Sequence, residues 1–561
     1  MTIRVAAAQF AVTNDVEQNL ATCIRMIRQA GEHNPDLIQL PEFCNHNSWY
    51  DDQAHCIDVA VPVGGDFLNA IADTAKEVNA FVMINCTVRR DNDVITGTNL
   101  LFNKQGELVG QTDKQVLIGH ENDYLTPSTE VSEIFDTELG KIGLYCCMDG
   151  VINEPPRLLG LYGGQILCNA LNSFAIDEGT LHIPVRAAEN KVWVVAANKV
   201  GPLIPEALLE PVSEATQIPV KFLSGAGDSQ IVAPDGRVLA IAGKDEEVIW
   251  ADIDVSEANN KTRPDGTDVF ANRRTDLYSV LAQDPATQDL PQASLVESVS
   301  AATIAIKGGE QAAIADAVEQ IQSLQNQGVK LIALPELFWL TKNADTQAGH
   351  ELSQTAVDAI ASVLQAETYV STSIVAEQNG AASHCGVLIS NQGVVLQQGQ
   401  IHASNRFGWS AQADRVETLD TVYGKLAVLL EDDAIYPELG RLYAFAGADV
   451  ILAPLNTQES WQSQTGLRER AAENRINIVA ASGEVENCII CFMQHDFTLM
   501  TPWKNRKFDG LLSEGEFVRA TDTQLIANVH PSASANKVAS HRTHLINNRP
   551  WRQMATVVDS E

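Results

Sequence analysis

Three segments of this chain recur in the same order in its second half. "PDLIQLPEFCN" (Pro35 to Asn45) returns as "VKLIALPELFW" (Val329 to Trp339), and "KIGLYCCMDGVINEP" (Lys141 to Pro155) as "KLAVLLEDDAIYPEL" (Lys425 to Leu439). "RAAENKVWVVAANK" (Arg186 to Lys199) returns as "RAAENRINIVAASG" (Arg470 to Gly483), and "ANRRTDLY" (Ala271 to Tyr278) has a weaker echo in "NNRPW" (Asn547 to Trp551). Chance matches do not keep order, so the chain is a tandem duplication with a period as long as a domain. Between the copies lies "AQDPATQDLPQAS" (Ala282 to Ser294), rich in Pro, Gln, Asp and Ala and without apolar periodicity, which reads as a linker. The expected organisation is a first domain over 1–283, a linker over 284–296 with the boundary near Leu290, and a second domain over 297–561.

Within each copy, short apolar runs alternate with amphipathic helices. "IRVAAAQF" reads as a strand, "DVEQNLATCIRMIRQAG" as a helix ending at Gly31, and "DLIQLPEF" as a strand that stops at a proline. "FLNAIADTAKEVN" is a helix, "AFVMINCTV" a strand, and "TNLLFNKQGELVGQTDK" two strands joined by a turn. "IGLYCC", "PPRLLGLYGG" and "QILCNAL" continue as strand, helix and strand. Interleaved elements of this kind define an α/β class with layered sheets.

The 561 residues carry a formal net charge of −34, which repels nucleic-acid phosphates and anionic membrane surfaces. No apolar run is long enough to span a bilayer. The opening "MTIRVAAAQFAVTND" lacks the basic–apolar–small order of a signal peptide, so the expected location is the cytoplasm. Ten cysteines without a secretory signal are expected to be free thiols. "CIIC" at Cys488 to Cys491 has no second pair nearby to complete a metal or redox site.

Glu42 follows the apolar run "LIQLP", Lys114 stands in "GQTDKQVL", and Cys147 ends "IGLYCC". Strand ends in α/β proteins deliver residues to a shared crevice. A carboxylate, an ammonium and a thiol gathered there suit acyl transfer. The thiol attacks an electrophilic carbon, the carboxylate shuttles its proton, and the ammonium stabilises an oxyanion and lowers the thiol pKa. Singly, each has a plain reading: a buried small thiol, a turn-capping carboxylate, a solvated lysine.

Together and in this order, these motifs resemble the nitrilase or carbon–nitrogen hydrolase superfamily, with its Glu–Lys–Cys triad. "LPEF" matches the glutamate motif, "GQTDKQVL" the lysine motif and "IGLYCCMDGVINEP" the cysteine motif, with Cys146 as the strand neighbour of the nucleophile. Glu121 in "GHENDYLTP" matches a second, positioning glutamate. The resemblance implies an αββα sandwich per domain, packed as an intramolecular αββα–αββα pseudo-dimer. It also implies a thioester intermediate, release of ammonia or an amine, and no metal or organic cofactor. "CMD", with Asp149 two residues after the cysteine, resembles amidases and carbamoylases more than the nitrilase pattern "CWE". The expected substrate is therefore a linear amide or N-carbamoyl compound. Nitrile hydrolysis, acyl transfer to an amine, and a catalytically silent ligand-binding or assembly subunit are the alternatives. The residue after the lysine departs from the usual basic pattern, since here it reads "KQVL".

Trp49, Tyr50, Met148, Asp149 and His182 are candidate substrate-binding residues, with packing as the other reading of Trp49 and Tyr50. "GPLIPEALLEPVSEATQIPVKF" (Gly201 to Phe222) reads as a lid or a partner contact. The second copy keeps Glu336 but has Glu431 at the cysteine position. Counting from the turn glycines Gly106 and Gly393 places Ile401 opposite Lys114, with His402 beside it. Two of the three triad positions are thus lost, and the second copy reads as a non-catalytic partner that covers the first or lends a loop to its pocket. Homo-oligomers built on the internal pair are a further expectation.

Overall fold

A computed structural model of the chain describes every residue except 289–291, 293, 341–345, 379, 408–411 and 559–561; the expected boundary at Leu290 lies outside the described residues. The chain forms two compact units, and these are not the two contiguous halves of the repeat. Unit 1 comprises Met1–Lys261 together with Asp496–Ser513 and Val538–Val557, and unit 2 holds Thr262–His495, Glu514–Lys537 and the remaining C-terminal residues. Residues 262–283, expected in the first domain, therefore count with unit 2, and two segments from the second copy count with unit 1.

Unit 1 is built on two sheets. One runs in the order Glu247–Asp254, Thr2–Gln9, Leu37–Gln39, Phe81–Arg89, Ile95–Phe102, Leu108–Asp113, and the other Val238–Ile241, Gln230–Val232, Trp193–Ala197, Ile166–Ala170, Gly140–Cys146, Ile134–Thr137. The first strand shows why "IRVAAAQ" lacks polar alternation. Ile3, Val5 and Ala7 pack with Ile142, Leu144 and Ile166 of the other sheet, while Ala6 and Ala8 pack with Cys23, Met26, Ile27 and Ile71 of the helices. Both faces of the strand are buried, so the whole run is apolar. On the outer face of the second sheet, Tyr145, Leu167 and Val194 meet Leu159, Ile183 and Ala187. The layers are helix, sheet, sheet, helix.

The helices obey local rules. Val16–Gly31 starts where the Asp15 carboxylate accepts the Gln18 N–H at 3.0 Å, and ends at Gly31 as its sequence indicates. Asp66–Val78 ends on Asn79 in the left-handed region, φ 54°.

Unit 2 repeats the strand order. Gly393–Gly399, Ala381–Ser390, Tyr369–Gln378, Leu331–Ala333, Val299–Ile304 and Gln524–Val529 form one sheet; Thr418–Thr421, Gly424–Val428, Val450–Pro454, Asn477–Ala481, Ile489–Phe492 and Glu516–Arg519 form the other. Val299 and Ala301 face Leu426, Val428 and Leu452, while Ala302 and Ile304 face Ile314, Ala317 and Ile321 of a helix. No described helix is long and apolar enough to cross a membrane.

Candidate active site

In unit 1 the loops after three strands carry the members of the expected triad. Glu42 follows Leu37–Gln39, and its N–H donates to the Leu171 carbonyl at 3.1 Å. Lys114 follows Leu108–Asp113, its N–H bonded to the Gly97 carbonyl at 2.7 Å. Its ammonium donates to Glu42 Oε1 at 2.7 Å and to Glu121 Oε1 at 3.0 Å, and all three groups are buried. Glu121 Oε2 also accepts the Ile118 N–H at 3.1 Å, which fixes the second carboxylate to its own loop.

Glu42 Oε2 is buried and has no hydrogen-bond partner among the described residues. A buried acceptor is normally paired, and leaving one unpaired costs about 1–3 kcal/mol. One oxygen of Glu42 is thus committed to Lys114 and the other is left unpaired.

Cys147 leaves the strand Gly140–Cys146 with φ 49° and ψ −110°. Positive φ at a residue with a Cβ is strained by about 1–3 kcal/mol and persists only where the surroundings hold it. The hold is visible: the Cys147 carbonyl accepts the Gly150 N–H at 2.7 Å, and its N–H donates to Asn169 Oδ1 at 3.2 Å. Cys146 is fully buried at the end of the strand, its thiol 3.8 Å from Asp149 Oδ2.

The Cys147 thiol is held well above the ordinary range of a cysteine, by burial first and by the Glu42 charge second, with Lys114 opposing. The ammonium acts on this thiol in the expected, lowering direction, and burial outweighs it. Lys114 stays well above its usual range, since Glu121 and Glu42 outweigh the burial that disfavours its charge. Glu121 is pushed up to about 7 by burial, against the pull of Lys114.

The candidate substrate-binding residues divide. Trp49 lines a cavity of about 570 Å³ that also reaches Glu121. Tyr50, Met148, Asp149 and His182 are not among the described residues that line it. The Tyr50 hydroxyl pairs with Thr87 Oγ1 at 2.7 Å, and Met148 lies in an apolar cluster with Val116 and Val151. His182 is bonded to Ser513 Oγ at 3.0 Å. Asp149 is a brace: its Oδ1 accepts the Gln115 and Val116 N–H groups at 3.1 and 2.8 Å, holding the lysine loop against the cysteine turn. The long segment Gly201 to Phe222 contains the helix Leu209–Thr216 and walls the cavity through Ile204, Val212 and Phe222.

Sequence reasoning missed Lys199, Asn172 and the four cavity residues Leu499, Met500, Ser540 and His541. Lys199 is fully buried, lies 6.0 Å from the Phe43 ring whose other neighbour is the Lys114 ammonium at 5.4 Å, and is pulled down to about 8 by burial. A signal was present: Lys199 ends a motif whose second copy ends in Gly483.

In unit 2 the frame persists with different side chains at the matching positions. The Glu336 N–H bonds the Leu455 carbonyl at 3.3 Å and Leu337 has φ 41°, as Glu42 and Phe43 (φ 50°) do in unit 1. Glu336 Oε2 instead accepts from Arg406 at 2.7 Å, and its Oε1 accepts the Glu431 N–H at 3.1 Å. Glu431 is itself occupied, accepting the Asn456 and Gln458 N–H groups at 2.6 and 2.8 Å. Burial first, and the nearby Glu336 charge, raise it to about 8 against the pull of Arg406. Glu431 is absent from the positive-φ residues, so the strained turn of Cys147 is lost with the sulfur.

The placement of Ile401 opposite Lys114 is corrected. Ile401 and His402 donate their N–H groups to Asp433 at 3.0 and 2.9 Å, as Gln115 and Val116 do to Asp149. The Gln400 N–H bonds the His384 carbonyl at 2.9 Å, as that of Lys114 bonds Gly97, so Gln400 takes the lysine position. The cause is the turn between the paired strands. Phe102 pairs with Leu108 in unit 1 and Ile389 with Val394 in unit 2, a connection one residue shorter, so counting from the glycine overshoots by one. Introducing Glu431→Cys into a Cys147→Ala background is expected to restore no ammonia release, because neither the lysine nor the strained turn is present; measurable amide turnover by the double variant would contradict this.

The chain belongs to the carbon–nitrogen hydrolase family, whose model matches residues 4–261 and 298–495. It is similar to a nitrilase of Pyrococcus abyssi, 25% identical over 47% of this chain and 93% of that protein. It is 27% identical to an omega-amidase of Bos taurus over 50% of this chain and 99% of that protein. With an N-carbamoylputrescine amidase of Solanum tuberosum it shares 28% identity over 50% of this chain and 94% of that protein. Among solved structures, an amidase from Nesterenkonia sp. AN1 in complex with butyramide aligns with a TM-score of 0.41 at 20% identity, covering 50% of this chain and 96% of that one.

Proposed function

We propose that unit 1 hydrolyses a linear amide or N-carbamoyl compound through a thioester on Cys147. Glu42 Oε2 takes the thiol proton as Sγ bonds to the substrate carbonyl carbon. The oxygen that gains negative charge is stabilised by the Lys114 ammonium, a fixed charge in a buried setting. As the tetrahedral species collapses, the C–N bond breaks and Glu42 returns the proton to the departing nitrogen, leaving the acyl group on sulfur. Glu42 then takes a proton from water, whose oxygen attacks the thioester. Sγ leaves, recovers the proton from Glu42, and a carboxylic acid departs. Glu121 keeps Lys114 charged and aimed.

The observation that carries this reading is the free, buried Oε2 of Glu42, whose other oxygen is locked to Lys114 while its charge acts on the strained Cys147. The relatives named omega-amidase and N-carbamoylputrescine amidase support the substrate class. Nitrile hydrolysis is the second reading, favoured by the relative named nitrilase. Unit 2 serves as a structural element: its Glu431 ties down the backbone at 456–458 in place of doing chemistry. Ammonia release from simple amides, N-carbamoyl compounds and nitriles tests the proposal. Release from amides or carbamoyl compounds is the expected result, and release from nitriles alone would overturn the substrate assignment.

A further inference from the structure

The cavity beside the site has chemistry of its own. Its wall is mostly apolar, with Ile118, Phe174, Ile204, Val212, Phe222 and Leu499 in it, and its described lining includes no lysine or arginine. Its charged groups are already engaged. Glu121 holds Lys114, and Asp123 accepts from His120 at 3.1 Å, His541 at 3.3 Å and Arg542 at 3.2 Å. A substrate tail bearing a carboxylate would be desolvated there with no cation to meet it, and an ammonium tail would find the Asp123 charge already matched by Arg542. At the polar end stands Asn172, whose side-chain amide donates to Ser48 Oγ at 2.9 Å and whose Oδ1 is buried without a partner among the described residues. Asn172 follows Leu171, the residue whose carbonyl receives the Glu42 N–H, so this free acceptor borders the reacting centre.

From these observations we infer that the substrate is a primary amide with an uncharged, apolar acyl group, its N–H accepted by Asn172 Oδ1 and its chain laid along the wall completed by Leu499 and Met500. The inference rests on the amidase reading above. It also gives the second copy of the repeat a reason to persist. Leu499, Met500, Ser540 and His541 belong to the segments Asp496–Ser513 and Val538–Val557, which lie beyond the first copy in sequence yet build unit 1.

Steady-state kinetics of the full chain on acetamide, butanamide and hexanamide, against succinamic acid and 4-aminobutanamide, tests it. The expected kcat/KM rises about fourfold per methylene, the ratio that burial of one methylene supplies, and hexanamide exceeds both charged amides by at least 100-fold. Met500→Arg, at a half-exposed wall position, is expected to raise succinamic acid relative to hexanamide by at least tenfold. A flat response to chain length, or preference for a charged amide, would overturn the inference while leaving the amidase reading intact. If no amide at all were hydrolysed, the amidase reading would fail separately. Calorimetric binding to Cys147→Ala reads the same preference without turnover: tighter hexanamide supports the inference, and tighter succinamic acid rejects it.

Discussion

Cys147→Ala lowers kcat for amide hydrolysis by roughly 10⁴-fold or more, whereas Cys146→Ala keeps turnover within about threefold of the parent. Adjacent in sequence, these residues differ by one backbone turn. Cys147 carries the positive φ and lies within the field of Glu42 and Lys114, while Cys146 completes the strand and packs between the sheets with Leu144 and Cys168. Losing the Cys146 sulfur leaves a small void and costs about 1–2 kcal/mol of stability. Ammonia release and urea unfolding on both variants separate the roles. Retained release in Cys147→Ala, or its loss in Cys146→Ala, would reverse the assignment.

Lys114→Met has the second large effect, and it falls on stability as well as rate. The ammonium bonds two buried carboxylates, and removing it leaves Glu42 and Glu121 facing each other. Breaking a buried ion pair from one side costs about 3–5 kcal/mol. The pH dependence follows from the sign of the carboxylate shift. Glu121 already sits near 7 in the folded protein, above its unfolded value. Its burial therefore costs nothing while it is protonated, at low pH, and destabilises increasingly as pH rises through the folded value. Without Lys114 that cost grows, so the deficit of the variant is greatest at pH 8 and smaller at pH 6. Urea unfolding at the two pH values checks this, and equal deficits would contradict the coupling. Turnover is expected to fall at least 10³-fold.

Much of the site was legible because each triad member stands at a strand end inside its own local motif, and order along the chain carries over to order around the crevice. The two-sheet layering was legible for a similar reason: strands buried on both faces read as unbroken apolar runs, and "IRVAAAQ" is one. What escaped depended on distance along the chain. Leu499 and His541 wall the cavity beside Glu121 although hundreds of residues separate each of them from Glu121, and nothing local at either position signals that meeting. Tyr50 and His182 looked like pocket residues by type, but Thr87 and Ser513 take their polar atoms. The error at Ile401 was one of register. A turn shortened by a residue shifts every position after it, and only the strand pairing reveals that Gln400 stands for the lysine.

The most direct test of the central claim is the covalent intermediate. The protein is mixed with a slowly hydrolysed amide, quenched in acid during turnover, digested, and the peptides are weighed by mass spectrometry. The account predicts one acyl group on the Cys147 sulfur, with Cys146 unmodified and no adduct in Cys147→Ala. An acyl group on any other residue would contradict it, as would hydrolysis that proceeds at the parental rate in Cys147→Ala.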